Sequence, residues 1–274
     1  MRFFKKHLST IVLVVVFVIG LCLLLYPTVS DYWNSFHQSR AIVDYTEQVA
    51  TMDNQEYEKL WQAAQDYNQQ LSEQPTHFTL SDEEQKVYEG LLNVGGTGIM
   101  GSIEIPKIKC TLPIYHGTSE AVLQVAIGHI GGSSLPVGGE GSHCVLSGHR
   151  GLPSAKLFTD LDQLVEGDTF LLYTLDETLT YEVDQILIVE PEDVSALAIE
   201  PGKDLCTLLT CTPYGVNSHR LLVRGHRVPN ETPGSIRVSA DAIQIDSNIV
   251  ASLVAVPLLL ILLGWLLIHY RKRK

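Results

Sequence analysis

Acidic residues are absent from both ends of this 274-residue sequence: none precedes Asp31 and none follows Asp246, although the chain holds 31 Asp and Glu. No charge of either sign lies between Lys6 and Asp31. What occupies the ends instead is apolar. Leu8 to Tyr26 is almost uniformly hydrophobic, and Ile249 to Ile268 is a second such run. About 20 helical residues at about 1.5 Å each cross the roughly 30 Å hydrocarbon core, so both runs are long enough to span a membrane. Pro257 would disqualify the second as a short soluble helix, but membrane helices tolerate proline. Arg2, Lys5 and Lys6 precede the first run, and Arg271 to Lys274 are all basic. Positive flanks stay in the cytoplasm, which puts both termini inside and the middle, roughly Val29 to Asp246, outside. A small-x-small cleavage site is also lacking. Tyr26-Pro27-Thr28-Val29-Ser30-Asp31 follows the first run, which therefore reads as an uncleaved anchor rather than a signal peptide.

Positive charge is scarce in that outer portion. It holds 12 of the 19 Lys and Arg against all 31 Asp and Glu, a net −19. Such a field argues against nucleic acid and anionic lipid as partners. Cysteine is scarce too. Of five, Cys22 lies in the first apolar run, and Cys110, Cys144, Cys206 and Cys211 lie outside, where disulfides are permitted. Cys206 and Cys211 sit five apart in one strand-like run, so they face opposite sides and cannot pair with each other. Cys206, Cys211, His219 and His226 match no zinc spacing. Cys110, Cys144 and Cys206 stand in apolar runs and read as buried thiols.

The ectodomain begins helical. Trp33, Phe36, Arg40, Val43 and Ala50 follow helical spacing. Asp53 to Glu56 resembles a capping box, and Tyr57, Leu60, Trp61, Ala64, Tyr67 and Leu71 form an amphipathic stripe. Ser81-Asp82-Glu83-Glu84 starts a short helix toward Leu92, and Gly95 to Gly98 stops it. Short strands follow: 101–105, 108–115, 143–148, 169–174, 179–190, 205–211 and 220–225. A helical turn is expected within Lys156 to Leu164. Strands of this length between Gly and Pro turns predict an all-β barrel or sandwich. The expected division is a tail and membrane anchor over 1–28, a helical region and lid-like connection over 29–97, a catalytic barrel over 98–230, a linker over 231–247, a membrane helix over 248–270 and a basic tail over 271–274.

Three strand ends carry chemistry. Cys211 closes the run from Leu205, Arg220 opens the next after a seven-residue connection, and His149 ends Val145-Leu146-Ser147-Gly148. A thiolate is the competent sulfur nucleophile, and neighbouring cations favour it. His149 can carry a proton near neutrality, whereas Arg220 stays charged and suits a developing oxyanion. Nucleophile, acid/base and electrostatic stabiliser are the parts of covalent acyl transfer.

The run Thr207-Leu208-Leu209-Thr210-Cys211, with Arg220 nine residues on in Ser218-His219-Arg220-Leu221-Leu222-Val223, resembles the signature of the sortases, cysteine transpeptidases of Gram-positive bacteria. Leu112 to Thr118, Ser134 to Gly139 and Ser147 to Pro153 resemble family segments in the same order. The resemblance covers about Gly98 to Arg227. It implies a mainly β, eight-stranded sortase barrel with N-terminal helices, flanked here by two transmembrane helices, and no cofactor and no metal. It assigns Cys211 as nucleophile, His149 as acid/base and Arg220 as stabiliser.

Thr212 to Arg220 looks like class C, the pilin polymerases. That class implies pilin subunits with C-terminal sorting signals as partners, a catalytic domain outside the cell membrane, and transfer of a Leu-Pro-x-Thr acyl group to a pilin lysine. Two other readings are a sortase of another class that anchors surface proteins to the cell wall, and a non-catalytic membrane-tethered scaffold. The lid anchor of many class C members, Asp-Pro-aromatic, is missing. Ser81-Asp82 has no following Pro or aromatic, and Pro75-Thr76-His77-Phe78 lacks the Asp, so the groove is expected not to be blocked by the chain itself.

Overall fold

The computed structural model describes residues 2–74, 77–230, 255–261 and 263–265. The chain divides into one compact unit over Asn34–Ser235 and another made of Met1–Trp33 with Ile236–Lys274. The expected linker over 231–247 lies outside the described residues, as does half of the second apolar run. From that run an apolar helical piece, Ala255–Trp265, is shorter than a membrane span. Among the described residues one helix, Thr10–Ala50, is long and apolar enough to cross a membrane, with a mean hydropathy of 2.8 in its most apolar window. It belongs to α1 (Arg2–Ala50), which runs through Pro27 without a break. Of the expected flank of two membrane helices, one is found among the described residues, and the second lies partly outside them.

Two further helices precede the strands. α2 (Asn54–Ser72) starts where Asp53 accepts from the Glu56 amide, and α3 (Asp82–Gly90) carries a complete reciprocal box between Ser81 and Glu84. Both helices are pinned by buried polar groups. Asn68 of α2 donates to the Leu135 carbonyl and accepts from its amide, at 3.1 and 2.7 Å. Tyr88 of α3, fully buried, donates to the His129 carbonyl at 3.0 Å and accepts from Gly117 N–H at 2.9 Å.

Eight strands follow: β1 (Ile99–Ile105), β2 (Cys110–His116), β3 (Ile127–His129), β4 (Ser142–Ser147), β5 (Thr169–Thr174), β6 (Glu177–Val189), β7 (Asp204–Thr212) and β8 (His219–Val228). A four-residue helix, α4 (Glu120–Leu123), lies between β2 and β3. The strands close a barrel in the order β1-β2-β3-β4-β7-β8-β6-β5, which leaves no edge to recruit another chain. Seven of the eight were legible. β3 was missed because three residues are too few for alternation to show. Two neighbour pairs, β2 with β3 and β4 with β7, are parallel. Parallel neighbours require a long crossover, and between β4 and β7 the chain makes the His149 loop and the β5–β6 hairpin.

Alternation sorts side chains between the barrel interior and its outside. Ile103, Phe170, Leu172, Tyr181, Cys206, Leu208, Leu221 and Val223 fill the interior, with Phe170 and Tyr181 stacked at 5.6 Å. A separate outer cluster gathers Val145 of β4, Leu209 of β7 and Leu222 of β8 under Leu197. On α1, Tyr45 joins the helix to the barrel. Its hydroxyl donates to the Met100 carbonyl at 3.1 Å and accepts from Leu175 N–H at 2.8 Å, and burial pushes its pKa up to about 12. Tyr45→Phe strands a buried carbonyl and a buried amide, so it should lower unfolding free energy by about 1–3 kcal/mol. The check is chemical denaturation: the midpoint falls at unchanged slope, and an unmoved midpoint would contradict the role of this bridge.

Candidate active site

Strand register brings the three expected residues together. β7 and β8 pair antiparallel with Cys211 opposite Arg220. β4 pairs parallel with β7 through Ser147 and Leu209. Two more bonds prolong that pairing past the end of β4: Gly148 N–H donates to the Leu209 carbonyl at 3.0 Å, and the buried Thr210 hydroxyl donates to the Gly148 carbonyl at 2.8 Å. Gly148 faces the core, since a Cβ there would lie 2.7 Å from the Phe158 ring and 2.9 Å from Ile127. His149, the next residue, therefore faces outward. So does Cys211, because Cys206 and Leu208 point inward, and Arg220 by the same parity against Leu221 and Val223. His149, Cys211 and Arg220 thus form one row on the outer face of three adjacent strands.

Each member is held by local structure. Arg150 clamps the His149 loop by bonding Asp162 and the Thr212 hydroxyl, the latter at 3.3 Å, so the residues after His149 and after Cys211 are tied together. Phe158 N–H donates to the His149 carbonyl at 3.1 Å. From α1, Asn34 donates to the Ser154 carbonyl and Gln38 to the Val125 carbonyl, both at 2.7 Å, bracing the chain on either side of the imidazole. Nε2 of His149 is shut off from solvent without a hydrogen bond, and the Glu120 carboxylate stands 3.9 Å from it. Nη1 of Arg220 donates to the carbonyls of Asn217 and His219 at 3.3 and 3.1 Å, which anchors the guanidinium to its own loop. Its Nε and Nη2 make no hydrogen bond among the described residues. Tyr214 lies against Gly151, whose φ of +78 and missing Cβ both suit the close approach.

A sortase domain model matches residues 103–228. The crystal structure of sortase C1 from Streptococcus agalactiae superposes with a TM-score of 0.69 at 54% identity, over 70% of this chain and all of that one. Sortase C from Streptococcus pneumoniae, whose structure is described in terms of catalysis and pilin substrate specificity, gives 0.63 at 44% identity, over 71% of this chain and 99% of that one. Sortase D of Bacillus subtilis is 34% identical over 131 residues, 47% of this chain and 63% of that protein. The chain belongs to the sortase family.

In this sortase burial raises the thiols of Cys206 and Cys110, and Cys144 is buried inside the barrel beside Cys206. Cys206 is fully enclosed and its thiol is pushed well above the ordinary range, and Cys110 is raised to about 12 for the same reason. Cys211, half-buried at the end of β7, stands opposite Arg220 and beside the His149 loop, and all five cysteines are free.

Near this row the connection before the barrel packs on the strands. Residues 77–80 cross the barrel close to Gly132, where a Cβ would lie 2.1 Å from the His77 carbonyl oxygen and 3.2 Å from Cα of Phe78. Phe78 packs on the outer apolar cluster that also takes Leu209, two residues from Cys211. The chain thus lays its own aromatic on this patch without the Asp-Pro pair. Apolar contact and the bare backbone of Gly132 hold it there. The missing signal was Gly132, whose role depends on a neighbour 54 residues away.

Two outcomes test this account of the site. Gly148→Ala drives a methyl into Phe158 and Ile127, so it should cost about 1–3 kcal/mol by overpacking and lower alkylation of Cys211 and turnover together. Wild-type stability and turnover would contradict the close approach. Phe78→Ser should speed alkylation of Cys211 by a bulky maleimide several-fold, and an unchanged rate would show that the aromatic does not limit access.

Proposed function

We propose that this sortase is a membrane-anchored transpeptidase acting outside the cell, with Cys211, His149 and Arg220 as its catalytic residues. The Cys211 thiolate attacks the Thr–Gly carbonyl of a Leu-Pro-x-Thr-Gly sorting signal. The C–S bond forms, Arg220 stabilises the oxyanion, the C–N bond breaks, and His149 delivers a proton to the departing glycine amine. A lysine amine of the next pilin subunit then attacks the thioester. Its proton passes to His149, an isopeptide bond forms, and Cys211 is released as thiolate.

The observation that carries this reading is the row itself, in which a half-buried thiol stands opposite a guanidinium on the neighbouring strand and beside the loop that carries the imidazole. Leu209, partly exposed two residues from Cys211, gives the row an apolar neighbour suited to aliphatic residues such as Leu and Pro. The pilin acceptor is supported by likeness to the sortases C of two streptococci, one of them described in terms of pilin substrate specificity. The anchor is supported by the apolar part of α1, with basic residues at the chain's start.

Incubating the detergent-solubilised chain with Leu-Pro-x-Thr-Gly peptides should give a thioester on Cys211 by mass spectrometry. Cys211→Ala should abolish it, and Arg220→Ala should cut turnover by about 10²–10³-fold as the loss of an oxyanion donor. Release of the glycine fragment by the Cys211→Ala variant would overturn the assignment. The acceptor is read separately: a pilin lysine supports polymerisation, and use of a glycine-like amine alone would redirect the reading to wall anchoring.

A further inference from the structure

His149 has a neighbour that its assignment as acid/base does not use. Its Nε2 is closed to solvent and makes no hydrogen bond, an arrangement that is costly for a buried polar atom. The acid aimed at that nitrogen is Glu120, with Oε2 at 3.9 Å. This is ion-pair range, and catalytic contacts in a substrate-free enzyme are often longer than in the working complex. The carboxylate is itself held. Gln124, one turn along α4, donates from Nε2 to Oε1 of Glu120 at 2.5 Å, so one oxygen is engaged and the other is left to face the imidazole. Gln38 fixes the far end of α4 through the Val125 carbonyl, so α1 supports the carboxylate as well as the histidine loop. Other charged or titratable groups on the elements that carry the row are Cys211 on β7, Arg220 on β8, and Arg150, which is engaged with Asp162.

We infer that Glu120 is a positioning residue for the acid/base step: held by Gln124, its carboxylate orients the His149 imidazole through Nε2 and leaves the other ring nitrogen to serve the groove. The inference rests on the proposed role of His149. Glu120 is mostly exposed, with 74% of its side chain accessible, so in the free enzyme water screens the pair and it adds little to stability. A peptide seated in the groove removes that water, and the same pair then acts in a lower dielectric. The contribution therefore belongs to turnover. It belongs in particular to breaking the C–N bond, when the imidazolium gives its proton to the leaving amine while Cys211 gains the acyl group.

The test compares the full chain in detergent with its Glu120→Gln, Glu120→Asp and His149→Ala variants. The probes are the best-cleaved member of a Leu-Pro-x-Thr-Gly peptide set and its ester analogue, in which oxygen replaces the scissile nitrogen. An alkoxide needs far less proton delivery than an amine. Glu120→Gln should lower kcat on the amide about tenfold, a share of the roughly 10²–10⁴ that general acid–base catalysis supplies, with KM and ester cleavage changed less than about twofold. Glu120→Asp should recover part of the loss, and the melting temperature should not move. Equal losses on amide and ester, an effect confined to KM, or wild-type kcat on the amide would overturn the inference. An inactive His149→Ala variant beside a wild-type Glu120→Gln variant removes Glu120 alone. Amide cleavage by His149→Ala would remove the histidine reading, and this inference with it.

Discussion

Parallel pairing of β4 with β7, continued past the end of β4 by the Gly148 amide and the Thr210 hydroxyl, is the constraint on which the site depends. Antiparallel pairing of β8 on the other side of β7 completes the row. A slip of one residue in either pairing would turn a whole strand over, sending His149 or Arg220 into the barrel and Leu221 or Gly148 out. Two packed faces oppose such a slip: the interior, where Cys206, Leu208 and Val223 are enclosed, and the outer cluster of Val145, Leu209 and Leu222. The chemistry is thus positioned by hydrophobic sorting rather than by bonds among the catalytic groups themselves.

The same logic accounts for the residues around the row. Glycine stands at Gly148 because the core leaves no room for a methyl, and at Gly132 because the chain of residues 77 and 78 passes over it. Arg150 joins the two loops that follow His149 and Cys211, and α1 reaches both sides of the imidazole through Asn34 and Gln38. The helical N-terminal region is therefore part of the site's framework.

The placing of Cys211, Arg220 and His149 at strand ends was legible because each bounds a short apolar run, and Asp53 and Ser81 because caps have local signatures. β3 was not, since its three residues draw their meaning from partners in β2 and β4. The side chains packed near the row, Glu120 and Phe78, carry no local sign at all. One is an acid on a four-residue helix, and the other is an aromatic in a connection whose docking patch is assembled from β4, β7 and β8. The second membrane helix was expected from composition, but most of its residues fall outside the described ones.

The central claim is that one peptide carbonyl can be reached by all three side chains of the row. A crystal structure of the chain carrying a Leu-Pro-x-Thr analogue with a thiol in place of the scissile carbonyl, joined to Cys211 as a mixed disulfide, tests it directly. The threonine end should lie between His149 and Arg220, with the leucine and proline beside Leu209. A peptide leaving Cys211 in another direction, with neither His149 nor Arg220 beside the threonine, would contradict the account.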